Sequence, residues 1–216
     1  MTMPTLIHKQ NERETVVRLK KIHSVLSQAF LRACEENGTP DTWDLNAPYT
    51  RESAERIADV FVKYMKVIKN CGTEAGCMED VNYKRLNGSQ DSNYNQDPGF
   101  SKMILADGAS IFFTVRSENC TEDRGPGMLK DVCGVAYIDV NGPKRPNQWG
   151  KDVFAFAISK TGVIPNGTQE ETLFPFSTCK QSSTGYGCTA WVIFNENMDY
   201  LKCSDLSWSG KRTCKY

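Results

Sequence analysis

The sequence predicts an α+β fold, with helices first and an antiparallel sheet after them. Three observations predict it. Before residue 70 apolar residues recur at spacings of three and four, whereas after residue 100 they come in short extended runs. Turn signals separate those runs, Asp107-Gly108 being the clearest. Cysteines gather in the second region: of the 9 in the chain, all but Cys34 lie beyond residue 70.

The first element is a long helix over 1–38. Leu19, Ile22, Leu26, Ala29 and Ala33 form its apolar stripe, with Val25 and Phe30 beside it. Glu14 and Arg18 make a favourable i,i+4 pair. Asn37-Gly38 closes the helix, because glycine takes the left-handed conformation wanted at that end. Upstream, Thr5-Leu6-Ile7 leads into the polar run His8 to Glu14, which predicts a helix continuing away from the body. A second helix is expected over 50–70, capped by Thr50 and burying Ala54, Ile57, Ala58, Phe61, Met65 and Ile68. Residues 71–100 carry much Gly, Asn and Asp and read as irregular.

The sheet region spans 101–216. Met103 to Ala106 and Ile111 to Val115 flank the Asp107-Gly108 turn. Val135 to Val140 and Val153 to Ile158 flank the loop "DVNGPKRPNQWGKD". Lys160-Thr161-Gly162 then turns the chain into Val163-Ile164-Pro165. Ala190 to Phe194 and Met198 to Leu201 read as two further strands. The 216 residues suffice for one domain with a real core.

Composition narrows the function classes. With 26 basic and 26 acidic residues the formal charge is zero, which gives no argument for nucleic acid. No CxxC pair is present, so zinc ribbons and thioredoxin-like chemistry fail. Cysteines among Gly- and Asn-rich turns favour disulfides and an oxidising compartment. A nearest-neighbour set pairs Cys71 with Cys77, Cys120 with Cys133, Cys179 with Cys188 and Cys203 with Cys214. Eight cysteines allow about 105 connectivities, so other pairings stay open. Cys34 is the odd thiol, expected to be buried and inert.

Several stretches, in this order, resemble the type IV pilin-like family and its type II secretion pseudopilins. They are "PTLIHKQNERETVVRLKKIHSVLSQAFLRACEENG", "FVKYMKVIKNCG", "ILADGASIFF", "YIDVNGPKRPNQWGKDVFAFAI" and "GYGCTAWVIFNENMDYLKC". The resemblance covers most of the chain and is weakest at 78–100 and 116–130. It implies a single pilin-like domain over 1–216, in which a long N-terminal helix and a second helix pack on a disulfide-stabilised antiparallel sheet. It implies a structural subunit of a type IV pilus or secretion pseudopilus. Its partners would be other pilin-like subunits, and its precursor would be anchored in the inner membrane by an N-terminal apolar helix. Met1-Thr2-Met3-Pro4 would then be a start just beyond that helix. The location implied is periplasmic or extracellular. Salt bridges from Glu12 and Glu14 to Arg13, Arg18 or Lys20 of neighbours would join subunits.

Candidate chemistry concentrates in the loop Asp139 to Asp152. Asp139, Asn141, Asn147 and Asp152 supply hard oxygens that suit calcium. Some members of the resembled family carry calcium in a loop of the sheet. Against a cation stand Lys144, Arg145 and Lys151, and the spacing is not that of an EF-hand. The competing reading is a turn in which Asp139 and Asn141 bond their own backbone. The expectation for cofactors is therefore none, or one structural calcium.

No catalytic residue is assigned. GxSxG, HExxH and P-loop motifs are absent. His8 and His23 are the only histidines, and His23 sits about 16 Å along the helix from Cys34, which excludes that dyad. Glu35-Glu36 and Glu170-Glu171 are adjacent, so their side chains diverge. Trp149, Tyr186, Trp191 and Trp208 fit either an ordinary core or a binding surface. A second function class follows from the latter: a minor pilin or secreted adhesin-like module that recognises a surface or ligand.

Overall fold

The computed structural model describes residues 3–214, with side chains from residue 8. Met1 and Thr2 of the expected start, and the side chains of Thr5-Leu6-Ile7, lie outside that part. Helix α1 runs Met3–Asn37 and α2 runs Arg51–Val62. The strands are β1 Val67–Gly72, β2 Ser101–Leu105, β3 Ser110–Val115, β4 Val132–Asp139, β5 Val153–Ser159 and β6 Val163–Pro165. They form one sheet in sequence order, every neighbouring pair antiparallel. A short helix α3, Thr189–Asn195, follows.

The α1 stripe is buried as its spacing predicts, from Val16 through Leu19, Ile22, Leu26 and Ala29 to Ala33. Gly38, at φ 77°, ends the helix, and its N–H bonds Cys34 O at 3.0 Å. Trp43 folds back, donating its indole N–H to Gly38 O and packing between Phe30 and Phe61. Thr50 caps α2 in a capping box with Ser53. Gly134 lets α2 approach β4: a Cβ there would stand 2.6 Å from Ile57 Cδ1.

Both faces of the sheet are covered, so β3 and β5 are buried at every position. On one face Ile111, Phe113, Ile138, Phe154 and Phe156 join the helices in the main core. On the other, Phe112, Val135, Val153 and Ala155 pack against Met78, Tyr83, Tyr94 and Phe100 from the irregular segment 73–100. The two sets alternate along each strand, as a pleated strand requires.

The structure corrects four expectations. The second helix stops at Val62 rather than near residue 70, and the chain turns at Lys63-Tyr64 into β1. Met65 is buried there, but Ile68 lies 68% exposed on an edge strand. Ala190 to Phe194 is helical rather than extended, and Asp199–Leu201 is a single 3-10 turn within the expected strand Met198 to Leu201. A short apolar run has no period by which strand and buried helix can be separated.

Candidate functional site in the β4–β5 loop

The loop leaves the sheet at Asp139 and returns at Val153. The structure brings its four candidate oxygen residues together. Asp139 and Asp152 are both buried, as is Asn147, and Asn141 is half-buried. Asp139 Oδ1 accepts from Asn141 N at 3.3 Å. Asp152 Oδ1 accepts from Gln148 N at 2.6 Å, and its Oδ2 accepts from Asn147 N at 2.8 Å and Asn141 Nδ2 at 3.2 Å. Asn147 stands in the left-handed region at φ 51°, which asparagine tolerates better than most residues.

Two further residues enter from the covering segment. Tyr83 donates its phenol to Asp139 Oδ2 at 2.9 Å. Glu79 accepts from Asn147 Nδ2 and from Arg145 Nε, the latter at 3.4 Å. The backbone of Lys84 bonds Asn147 O and receives Trp149 N, so segment and loop are clamped along their length. Neither Glu79 nor Tyr83 was legible as a site residue, because nothing in local spacing connects them to a loop more than fifty residues away.

Burial, with the Asp152 charge adding to it, holds the Asp139 carboxyl well above the ordinary carboxylate range. Burial likewise pushes Asp152 up to about 6, against the pull of the Gln148 and Asn147 amides. The oxygens of Asp139 and Asp152 are engaged by N–H and O–H donors, and a guanidinium sits on Glu79. Among the described residues no three His, Cys, Asp or Glu side chains are grouped to hold a metal. Asn141 Oδ1 and Asn147 Oδ1 are buried without a hydrogen-bond partner among the described residues. The two carboxylates are thus bonded within the turn, while the two amide oxygens keep free lone pairs of the kind calcium takes. The Arg145–Pro146 bond within it is cis.

A model of a family of unknown function, DUF6613, matches residues 5–197. The chain belongs to DUF6613. No curated protein and no solved structure matches it.

In this DUF6613 chain all four nearest-neighbour disulfides form, Cys71–Cys77, Cys120–Cys133, Cys179–Cys188 and Cys203–Cys214. They indicate an oxidising environment, periplasmic or extracellular. Among the described residues no helix is long and apolar enough to cross a membrane. Cys34 is the free thiol, but half-buried rather than buried, and burial raises its pKa. His23 stacks on Phe156 at 5.1 Å, its pKa lowered by burial, while His8 is exposed.

The four aromatics of the DUF6613 chain divide. Trp191 is fully buried and stacks on Phe176 at 4.3 Å, with Trp208 tilted against it at 5.2 Å. Those two belong to the core around α3. Trp149 and Tyr186 meet edge-to-face at 4.7 Å on the opposite side of the sheet.

Proposed function

We propose that the chain is the globular part of a pilin-like filament subunit. The observation that carries this reading is the reach of α1 beyond its own packing. Its buried stripe from Val16 to Ala33 covers about 26 Å at ~1.5 Å per residue. The helix continues thirteen residues upstream of Val16, to Met3, and His8, Lys9, Gln10 and Asn11 are exposed. A helix that leaves its body in this way is suited to packing against other helices.

Several of the charges expected to join subunits are also paired within the chain. Glu14 pairs with Arg18 at 2.6 Å, Glu12 with Lys202 at 2.5 Å, and Lys20 with Glu196, all within the chain. Val17 and Leu31 stand 67% and 66% exposed on α1, among the exposed polar residues Lys20, Lys21, Ser24 and Gln28. A cleft of about 260 Å3 between α1 and the β2–β3 turn has Ile22, Val25 and Ala29 on its floor and Lys21, Arg32 and Asp107 at its sides.

A photo-crosslinking residue placed at Val17 or at Leu31, in the native gene expressed in its own cell, tests the proposal. Ladders of self-crosslinked chain are expected. Monomer alone at both positions sinks the filament reading.

A further inference from the structure

We propose that the outer face of the sheet carries a binding site for a neutral pyranose sugar. A cavity of about 320 Å3 opens there, walled by Tyr94, Phe100, Tyr137, Trp149, Phe174 and Tyr186. That volume lies at the small end of ligand pockets, about 300–1,000 Å3, and suits a single ring.

Three of the six walls are held in place by one carboxylate. Asp91 Oδ2 accepts from Trp149 Nε1 and from Tyr94 OH, both at 2.7 Å, and Asp91 Oδ1 accepts from Tyr186 OH at 3.1 Å. Arg85 braces both Asp91 and Tyr186, at 3.3 and 3.1 Å. Rings fixed by their polar edges present their faces without further ordering, which lowers the entropy lost on binding.

A polar group in the cavity is left unused. Asn166 lines it and is 2% exposed, yet its Oδ1 has no hydrogen-bond partner among the described residues. A buried amide oxygen without a donor costs free energy unless something supplies one. Asp97 and Ser92 add an acceptor and a hydroxyl at the same cavity. Acceptors set among aromatic faces call for a ligand with O–H donors and C–H surfaces. A pyranose has both, because its axial C–H bonds carry the partial positive charge that the electron-rich ring face attracts.

Charge argues against a cationic ligand. The guanidinium of Arg116 lies 4.9 Å over the Tyr49 ring, and that of Arg124 lies 5.2 Å over Phe174. Two cations already occupy aromatic faces at the cavity's margin. Both share the single carboxylate of Glu122, which each approaches at 3.2 Å, so that margin keeps positive charge, while Arg85 pairs with Asp91. Asp97 brings a carboxylate to the cavity itself, and the choline comparison weighs it against the guanidiniums at the margin.

This site stands apart from the filament reading and is tested on the isolated chain. Methyl glucopyranoside, methyl galactopyranoside and N-acetylglucosamine are titrated, with choline as the cationic comparison. Saturation-transfer NMR and tryptophan fluorescence report binding. At least one sugar is expected to bind through its ring C–H protons, and Asn166→Leu to weaken it about ten-fold or more. Ser92→Trp, at an exposed position that does not endanger folding, is expected to block the mouth with a loss of about the same size. The proposal is overturned if no sugar binds, if binding survives Ser92→Trp undiminished, or if choline binds more tightly than every sugar.

Discussion

Tyr83 donates its phenolic hydrogen to Asp139 Oδ2 at 2.9 Å, and both side chains have no solvent exposure. The bond ties the segment that covers the outer face of the sheet to the last residue of β4. Removing the donor leaves a buried carboxyl oxygen without its partner. Tyr83→Phe is therefore expected to destabilise the fold by about 1–3 kcal/mol. Urea denaturation measures it, and an unchanged midpoint would show that the phenol is dispensable.

Stability should fall as the pH rises from 4 to 8. Burial pushes Asp152 up to about 6 and Glu171 up to about 7. For Glu171 burial outweighs Arg124, whose Nη1 stands 3.9 Å from Oε1, too far for a hydrogen bond. Both carboxyls prefer the protonated form in the folded chain. Their contribution is complete below the ordinary carboxylate range and is lost as the pH passes through about 6 and then about 7. At ~1.4 kcal/mol per pH unit, each loss is on the order of 3 kcal/mol. Glu171→Gln should flatten the upper part of the profile, and a profile identical to the parent's would contradict the assignment.

Millimolar calcium should leave the melting temperature unchanged. Asp139 and Asp152 already accept from the loop's own amides and from Tyr83, and Arg145 competes for Glu79. A clear rise would instead make ligands of Asp139, Asn141, Asn147 and Asp152.

Lys102→Met should be among the most damaging single changes in the sheet. Lys102 is fully buried, and its Nζ donates to Thr73 O at 2.8 Å, Asn95 O at 3.2 Å and Asp97 O at 2.9 Å. Methionine fills the space but leaves three carbonyls without that donor, a loss of about 3 kcal/mol or more. Hydrogen exchange should localise the loosening to residues 73–97. Uniform protection with normal stability would refute the role.

Much of the fold was legible because its signals are local. The α1 stripe, the Thr50 cap, the Asp107-Gly108 turn and the strands on either side of the β4–β5 loop each follow from spacing within a few residues. Edge strand β1 was not, since Ile68, Lys69 and Asn70 face solvent and leave no apolar alternation to read. Helix α3 was not, because five of its residues, Thr189 through Ile193, are buried and show no polar side. At the loop, the four oxygen residues were found from their own segment. Tyr83, Glu79 and the Asp91-centred cavity depend on a covering segment whose docking only the tertiary structure shows.

Both margins of the sheet resist extension by a further strand. The β1 ladder is broken by two register shifts against β2, and Cys71–Cys77 together with the Lys69–Gly76 contact draws the strand into a tight turn. On the far side β6 is three residues long and ends in Pro165, which has no N–H to offer. Such margins deny a template to edge-to-edge aggregation. A chain built this way can be crowded at high local concentration without its sheets fusing.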